Sequence, residues 1–424
     1  MGYRPCLRCR PELAPGHASV DAGHRLARSA ANLIADGAAN GIGVGGVARS
    51  LGVTARHLRR VFQGEFGVSP IRFAQTQRLL LAKRLLTDTA LPVTEVAFAA
   101  GFNSLRRFDG LFKERYRLNP QRIRKPPRGN APPDALTFEL SYRPPYDWHA
   151  LLTFLAARSV SGVERVEGSR YRRIVSIVQS GRAHTGWIEI APHPRRSVMR
   201  VMASASMGKV IPALLSRVTH LLDLSCNPTP IAEALGRLAA AKPGLRVPGA
   251  FDGFELAVRA VLGQQVSVAA ARTLAGRVAA AYGSRAASPF ETLSTAFPQA
   301  EQLASVRVAE LVRLGILRSR ARTVRELAKL VADGSIALTP ETAVAETIEK
   351  LRAIAGIGGW TAQYIAMRAL AWPDAFPHTD LGVMRALGER NPKRVLAAAE
   401  AWRPWRAYAV MHLWMAEGSG GTLR

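Results

Sequence analysis

Apolar positions recur with helical spacing twice in the first third of the chain. VARSLGVTARHLRRVF from Val47 and VAFAAGFNSLRRFDGLF from Val96 each read as a helix of small residues, a turn with glycine and a basic helix. Ala48 and Ala97 let paired helices cross closely, Gly52 and Gly101 turn the chain, and Leu58, Phe62, Phe108 and Phe112 supply buried faces. GVSP at Gly67–Pro70 and RLNP at Arg117–Pro120 close the two repeats alike. RKPPRGNAPPDA, Arg124–Ala135, has no periodicity and reads as a semi-extended linker. Beyond it, TFELSYRPPYDW, RYRRIVSI and GWIEIAP alternate as strands do. From about Pro228 the chain returns to Ala- and Leu-rich helical runs such as FELAVRAVLGQQVSVAAARTLAGRVAAAYG. The pattern predicts a multidomain, mainly α protein: a double helix-turn-helix, a mixed α/β domain beginning near Thr137, and an all-helical C-terminal domain.

Composition narrows the partners. The 424 residues are 48% hydrophobic, ample for two to four packed domains. Lys and Arg outnumber Asp and Glu by 58 to 31, a net charge of +27 and a pI near 11.3, which points to a polyanion: nucleic acid first, a membrane surface second. Residues 1–130 hold 22 basic and 8 acidic side chains, so about half the net charge sits in under a third of the chain. No apolar run reaches the roughly 18 residues of a membrane-spanning helix. The Met1 end lacks a signal peptide's apolar core, and the expected location is the cytoplasm or nucleoid. Three cysteines, Cys6, Cys9 and Cys226, form no disulfide framework and suit a reducing compartment.

On the second helix of each repeat the exposed side chains are basic. Arg56, Arg59 and Arg60 in the first and Arg106 and Arg107 in the second are spaced to enter adjacent major grooves. A solvated charged face is the plainer reading, which the duplication of the cluster disfavours. The segment from about Gly41 to Arg124 resembles an AraC-type DNA-binding domain. That resemblance implies double-stranded DNA as the partner and, through this module, RNA polymerase. YRPCLRCRP at the amino terminus places Cys6 and Cys9 at a chelating spacing, but structural zinc wants four ligands. The stretch resembles the second half of the zinc-binding module of Ada-type methylation-response proteins, where another Cys pair lies upstream. The chain starts after that position, so the expectation is a remnant or a misplaced start, with His17 and His24 as poor substitutes. A PCHR-type acceptor cysteine is absent, so methyl transfer from guanine is not supported.

The chemistry concentrates in LRAIAGIGGWTAQYIAMRALAWPDAFPHTD, Leu351–Asp380. Gly356, Gly358 and Gly359 lie between two helical runs, where they either make a plain tight turn or bring free amides to a phosphate. Trp360 and Tyr364 share one helix face, a stripe that is more often core. Asp380 precedes LGVMRALG and in isolation reads as a helix cap. The combination resembles the helix-hairpin-helix DNA glycosylase superfamily and, within it, the AlkA-type 3-methyladenine DNA glycosylases. The likeness runs from about Thr137 through DLSCNP at Asp223, AVRAVLGQQVSVAAA at Ala257 and RPWRAYAVMHLWMAEG at Arg403. It divides the chain into a zinc-module remnant (1–20), an AraC-type domain (21–124), a linker (125–136), an AlkA-like α/β domain (137–227) and a glycosylase domain (228–424).

The resemblance implies that Asp380 is the catalytic acid and that Trp360, Tyr364 and Trp414 are walls of the base pocket. Asp374 receives no chemistry, Cys226 is a small buried residue, and Trp372, Trp402 and Trp405 pack. Gln264 and Gln265 lie where relatives fill the gap behind a flipped base, although Gln265 stands where some carry an apolar wedge. Members that also cleave the strand carry a Schiff-base lysine where this chain has Trp360, which implies a monofunctional enzyme. No cysteine follows Cys226, which excludes the four-cysteine iron–sulfur cluster of other relatives. No cofactor is required.

Physical chemistry runs parallel to the likeness. A base in a duplex must be rotated out and gripped by stacking. A base methylated at N3 or N7 is cationic, so aromatic faces attract it by up to about 2 kcal/mol. It also leaves as a neutral molecule, so one carboxylate suffices where sugar hydrolases usually need two. The rival reading is a transcription factor whose glycosylase half only binds DNA; a third is a glycosylase of oxidised or deaminated bases.

Overall fold

A computed structural model describes residues 19–35, 37–88, 91–123, 135–179 and 181–418. Cys6, Cys9 and His17, the His24 side chain and nearly all of the linker lie outside the described residues. The chain divides into two compact units: residues up to Pro132 with Ile177–His184 and Met207–Ser216, and a larger unit of the remainder.

In the first unit the two repeats are helix pairs, Gly43–Ser50 with Ala55–Phe66 and Val93–Ala99 with Leu105–Tyr116. Thr54 and Ser104 cap the second helix of each pair, accepting from His57 N and Arg107 N. Leu58 and Phe62 are buried on one of those helices, Phe108 and Phe112 on the other. Ala48 and Ala97 are fully buried where the paired helices cross. The turns require glycine: Gly52 has φ +69° and Gly101 φ +88°, and a Cβ on Gly101 would stand 2.3 Å from the Asn40 side chain.

The larger unit begins with most of a five-stranded sheet of β1 (Ala135–Ser141), β2 (Glu164–Glu167), β3 (Arg170–Gln179), β4 (Arg182–Pro192) and β5 (Val198–Ser204), in the order β1-β5-β4-β3-β2, in which β1 with β5, β5 with β4 and β3 with β2 pair antiparallel. Ala135 and Leu136 pair with Ala203 and Ser204, so the sheet claims two residues that the sequence assigns to the linker. Strand character in TFELSYRPPYDW stops at Ser141: Pro144 and Pro145 have no N–H for a ladder, and Asp147 caps the helix Trp148–Arg158 by accepting from Ala150 N. The C-terminal part is helical apart from a small hairpin, β6 (Ser284–Arg285) with β7 (Thr295–Ala296), which corrects the all-helical expectation.

A buried ionic network joins the sheet to the helix Gly253–Leu262. Arg173 Nη2 donates to Glu255 Oε2 at 2.6 Å, Arg259 Nη1 donates to Glu164 and Glu255 at 2.8 Å each, and the Tyr171 hydroxyl donates to Glu164. Burial penalises the Glu164 carboxylate, but Arg259 and Arg173 outweigh it and hold its pKa below the usual range. Removing one partner would strand a buried charge, so the network fixes how that helix presents itself to the site. No helix among the described residues is long and apolar enough to cross a membrane.

Candidate active site

The hairpin is Ala355–Gly358, between the helices Val344–Ala353 and Gly359–Arg368, with Ile354 and Ile357 buried on either side of Gly356. Gly356 has φ +94°, and a Cβ there would lie 2.3 Å from Thr323 Oγ1. That hydroxyl is itself engaged, donating to Ala355 O at 2.7 Å. From the other side Gln264 Nε2 donates to Gly356 O at 2.8 Å and to Thr361 Oγ1 at 3.0 Å. Gly358 is the N-cap of the following helix, without a side-chain cap, and open space surrounds Gly358 and Gly359. The braced turn therefore presents first-turn amides that have no intrahelical partner.

One turn into that helix the rings of Trp360 and Tyr364 stack, centroids 5.3 Å apart and 8° from parallel. Trp414, on the helix Arg406–Gly418, has its ring centroid 6.3 Å from that of Tyr364, tilted by 47°, and 6.3 Å from that of Phe154, within 15° of parallel. Asp380 ties these elements together. Its Oδ1 accepts from Val383 N at 2.9 Å and from Trp414 Nε1 at 2.8 Å, and its Oδ2 accepts from Trp360 Nε1 at 2.7 Å. The carboxylate that caps the helix following Asp380 is also one that lines a cavity. Three N–H donors hold it in a fixed orientation on a cavity of about 670 Å³ that Trp360, Tyr364 and Trp414 also line.

Four arginines line the same cavity, Arg158, Arg259, Arg272 and Arg368, and the sequence reading anticipates none of them. Arg259 is neutralised by Glu164 and Glu255, whereas Arg368 donates to Pro248 O, Gly249 O and the Tyr364 hydroxyl. Arg158 lies over the Phe154 ring at 3.7 Å. Among the described residues neither Arg158 nor Arg368 is in an ion pair. Burial alone would raise the Tyr364 pKa, but the Arg368 and Arg158 charges beside the phenol pull it below the usual tyrosine value. The only sequence signal for Arg158 is its place at the end of an apolar helix, WHALLTFLAAR, whose site-facing end is set by tertiary packing.

Other candidates fall elsewhere. Gln264 braces the hairpin through its side chain, whereas Gln265 is exposed at φ +54° on the turn between Gly253–Leu262 and Val268–Tyr282. Asp374 is buried and paired with Arg403 and Arg406, an architectural role. Cys226 is buried against the Arg246 guanidinium, and burial, then Asp223, push its thiol up to about 11. Trp372, Trp402 and Trp405 are half-buried. In the other unit, Arg56, Arg59, Arg60, Arg106 and Arg107 are exposed on the two capped helices, with Arg60 Nη2 3.2 Å from His57 Nδ1.

Three family models match in chain order: a helix-turn-helix domain over residues 47–126, the AlkA N-terminal domain over 137–252, and an HhH-GPD superfamily base excision DNA repair protein over 258–401. A Mycobacterium tuberculosis protein named a probable bifunctional transcriptional activator/DNA repair enzyme AlkA is 37% identical over 97% of this chain and 84% of its own length. The chain belongs to the AlkA family. DNA-3-methyladenine glycosylase 2 of Escherichia coli is 38% identical over 66% of this chain and 98% of its own length. The solved 3-methyladenine DNA glycosylase of Archaeoglobus fulgidus superposes with a TM-score of 0.57 at 22% identity, covering 67% of this chain and 99% of that one, a likeness of fold. The AlkA-type part accordingly starts at the sheet, with the helix-turn-helix module preceding it.

Proposed function

We propose that this AlkA-family protein is a monofunctional DNA glycosylase that hydrolyses the N-glycosidic bond of alkylated bases of the 3-methyladenine and 7-methylguanine type, with a sequence-specific DNA-binding regulator module before it. One observation carries the reading: the Asp380 carboxylate, clasped by two indole N–H groups, stands on an aromatic-walled cavity next to an amide-presenting hairpin. The hairpin amides would hold a backbone phosphate while the extruded base enters the cavity. As its bond to the base breaks, the deoxyribose gains oxocarbenium character, and a fixed anion beside it stabilises that charge without reorganising. Water adds to the sugar, leaving free base and an abasic site. Among the described residues no lysine lines the cavity, so those residues offer no amine there for a Schiff base and strand cleavage.

The guanidiniums revise one part of the sequence argument. Cation–π attraction would favour a positively charged base by up to about 2 kcal/mol. Arg158 and Arg368 repel the same charge while the Asp380 carboxylate attracts it, so stacking alone does not set the preference. Selectivity then rests on departure: a cationic base leaves as a neutral molecule and needs no proton, whereas an undamaged purine leaves as an anion. Wild-type protein at saturating concentration should release free 3-methyladenine and 7-methylguanine from alkylated duplex DNA, measured by chromatography. No release there, with duplex binding intact, would convert the reading into that of a DNA-binding regulator. Parallel duplexes carrying 8-oxoguanine, uracil or hypoxanthine set the substrate range. For the regulator module the proposed protein partner is RNA polymerase, after the activator name of the mycobacterial relative; a binding assay with purified polymerase on promoter DNA tests it.

A further inference from the structure

A second cleft, of about 650 Å³, adjoins the base cavity and plays no part in the chemistry above. It lies between the helix Val268–Tyr282, the turn at Ser161–Gly162 and the β6–β7 hairpin. Arg272, Arg277 and Arg285 line it, and no carboxylate does among the described residues. Each guanidinium is placed by one hydrogen bond that leaves other N–H groups unspent: Arg272 Nε donates to Ser159 O at 2.8 Å, Arg277 Nη1 to Leu314 O at 3.0 Å, and Arg285 Nη1 to Ser294 Oγ at 3.0 Å. Gly315, at φ +86°, makes room for the second of these, since a Cβ there would stand 2.7 Å from Arg277 Nη1. Among the described residues none of the three is in an ion pair. An ordinary solvated face intersperses carboxylates with its arginines, as this chain does at Arg307 with Glu310 and at Arg403 with Glu400. Pre-placed guanidiniums without counter-charges, in a concave surface that also offers the Ser161 hydroxyl, make a phosphate-recognition chemistry.

We propose that this cleft binds phosphate groups, and that their source is the phosphodiester backbone of the DNA beside the excised nucleotide. Arg272 favours that source, because this residue lines both the cleft and the base cavity, which makes an anion held here a neighbour of the nucleotide at Asp380. The assignment to DNA rests on the glycosylase reading. A free pyrophosphate or nucleoside phosphate offers the same chemistry.

Full-length wild type and the double variant Arg277→Gln/Arg285→Gln, matched by circular dichroism and thermal melting, are titrated with a duplex containing a non-hydrolysable abasic-site analogue across a salt series. Each neutralised phosphate contributes about 0.9 to the slope of log K against log salt, so losing two contacts flattens it by up to about 1.8. The helix-turn-helix module contributes equally to both proteins and cancels. Arg277→Lys/Arg285→Lys, which keeps the charges, should restore most of the slope. A second arm titrates both proteins with inorganic pyrophosphate by calorimetry. A flattened slope supports the DNA source; unchanged slopes with pyrophosphate binding only to wild type support the cleft with a free phosphate as its ligand. Equal slopes together with no pyrophosphate binding would overturn the proposal. Base release by wild type is followed alongside, so failure of the glycosylase reading registers separately.

Discussion

Gly356 and Gly358 of the hairpin and Gly359 at the start of the next helix do different work, and alanine substitutions separate it. At Gly356 an added methyl meets Thr323 Oγ1 at 2.3 Å, with the backbone at φ +94°. The left-handed conformation costs alanine about 1–2 kcal/mol, and overpacking against a hydroxyl pinned to Ala355 O adds about 1–3 kcal/mol. Gly356→Ala should therefore destabilise by roughly 2–5 kcal/mol, lowering the melting temperature by roughly 5–15 °C for a unit this large. Adding Thr323→Ala removes the clash and leaves the backbone strain, so the double variant should recover part of the loss. Gly358 and Gly359 have ordinary φ and no neighbour within 4 Å of a built Cβ. Gly359→Ala, inside the helix, should melt with the wild type or slightly above it, since alanine is the better helix former by about 0.5–1 kcal/mol, whereas Gly358→Ala, at the N-cap, should melt with the wild type or slightly below it, since glycine is the better cap. Their deficit should appear in DNA binding, where a methyl occupies the approach of a phosphate and affinity falls about tenfold, near 1.4 kcal/mol. Thermal melts and fluorescence anisotropy with a lesion duplex read the two effects. A Gly356→Ala protein as stable as wild type, or Gly358→Ala and Gly359→Ala proteins that bind DNA unchanged, would refute this division.

Trp414→Phe keeps a ring beside Phe154 but removes the N–H that donates to Asp380 Oδ1. A hydrogen bond to a charged group is worth about 1.5–3 kcal/mol, so single-turnover excision should slow roughly ten- to hundredfold with little change in KM, and an unchanged rate would show that this donor does not position the acid. Charge removal at Arg59 or Arg106 should lower the salt dependence of duplex binding by about one phosphate's worth each without altering the melt; an unaltered slope excludes that arginine from the interface. Burial pulls His220 and His412 down to about 4, so both stay neutral in the fold over a range where the unfolded chain takes up protons. Stability should be whole above pH 6.5 and lost as pH falls toward 4, by about 2 kcal/mol per histidine at pH 5. Asp223, pushed up to about 6 by burial, acts in the opposite sense over the same range and offsets part of that loss. His412→Gln should flatten the melting profile between pH 7 and 5; a variant that follows the wild-type profile would exclude His412 as a contributor.

Much of this site is readable because its parts are local. The helix spacing of Trp360 and Tyr364 places both rings on one face whatever surrounds them, and the glycine at position 356 declares a backbone conformation that few residues adopt. The two DNA-binding repeats are legible for the same reason: Leu58 and Phe108, and Phe62 and Phe112, occupy matching places on capped helices. What the sequence withholds is assembled at long range. Arg158 arrives more than two hundred residues before Asp380 in the chain, and nothing in WHALLTFLAAR distinguishes a guanidinium bound for the cavity from one bound for solvent. The inward turn of the Gln264 amide, the cap-and-clasp role of Asp380 and the shared wall at Arg272 likewise depend on packing between elements. The β6–β7 hairpin escapes the periodic pattern because its paired strands are two residues each.

On the proposed function, one carboxylate, held by Trp360 and Trp414, drives base release. This is tested most directly by single-turnover release of 3-methyladenine from alkylated duplex at saturating enzyme, comparing wild type with Asp380→Asn. The amide keeps an oxygen for Val383 N and Trp414 Nε1 but turns an NH₂ toward the Trp360 indole, and it no longer carries the charge that faces the sugar. Loss of one preorganised electrostatic partner predicts a rate lower by a factor of about 100–1000 or more, with duplex affinity within a few-fold of wild type. An Asp380→Asn protein that releases the base at close to the wild-type rate would contradict the account.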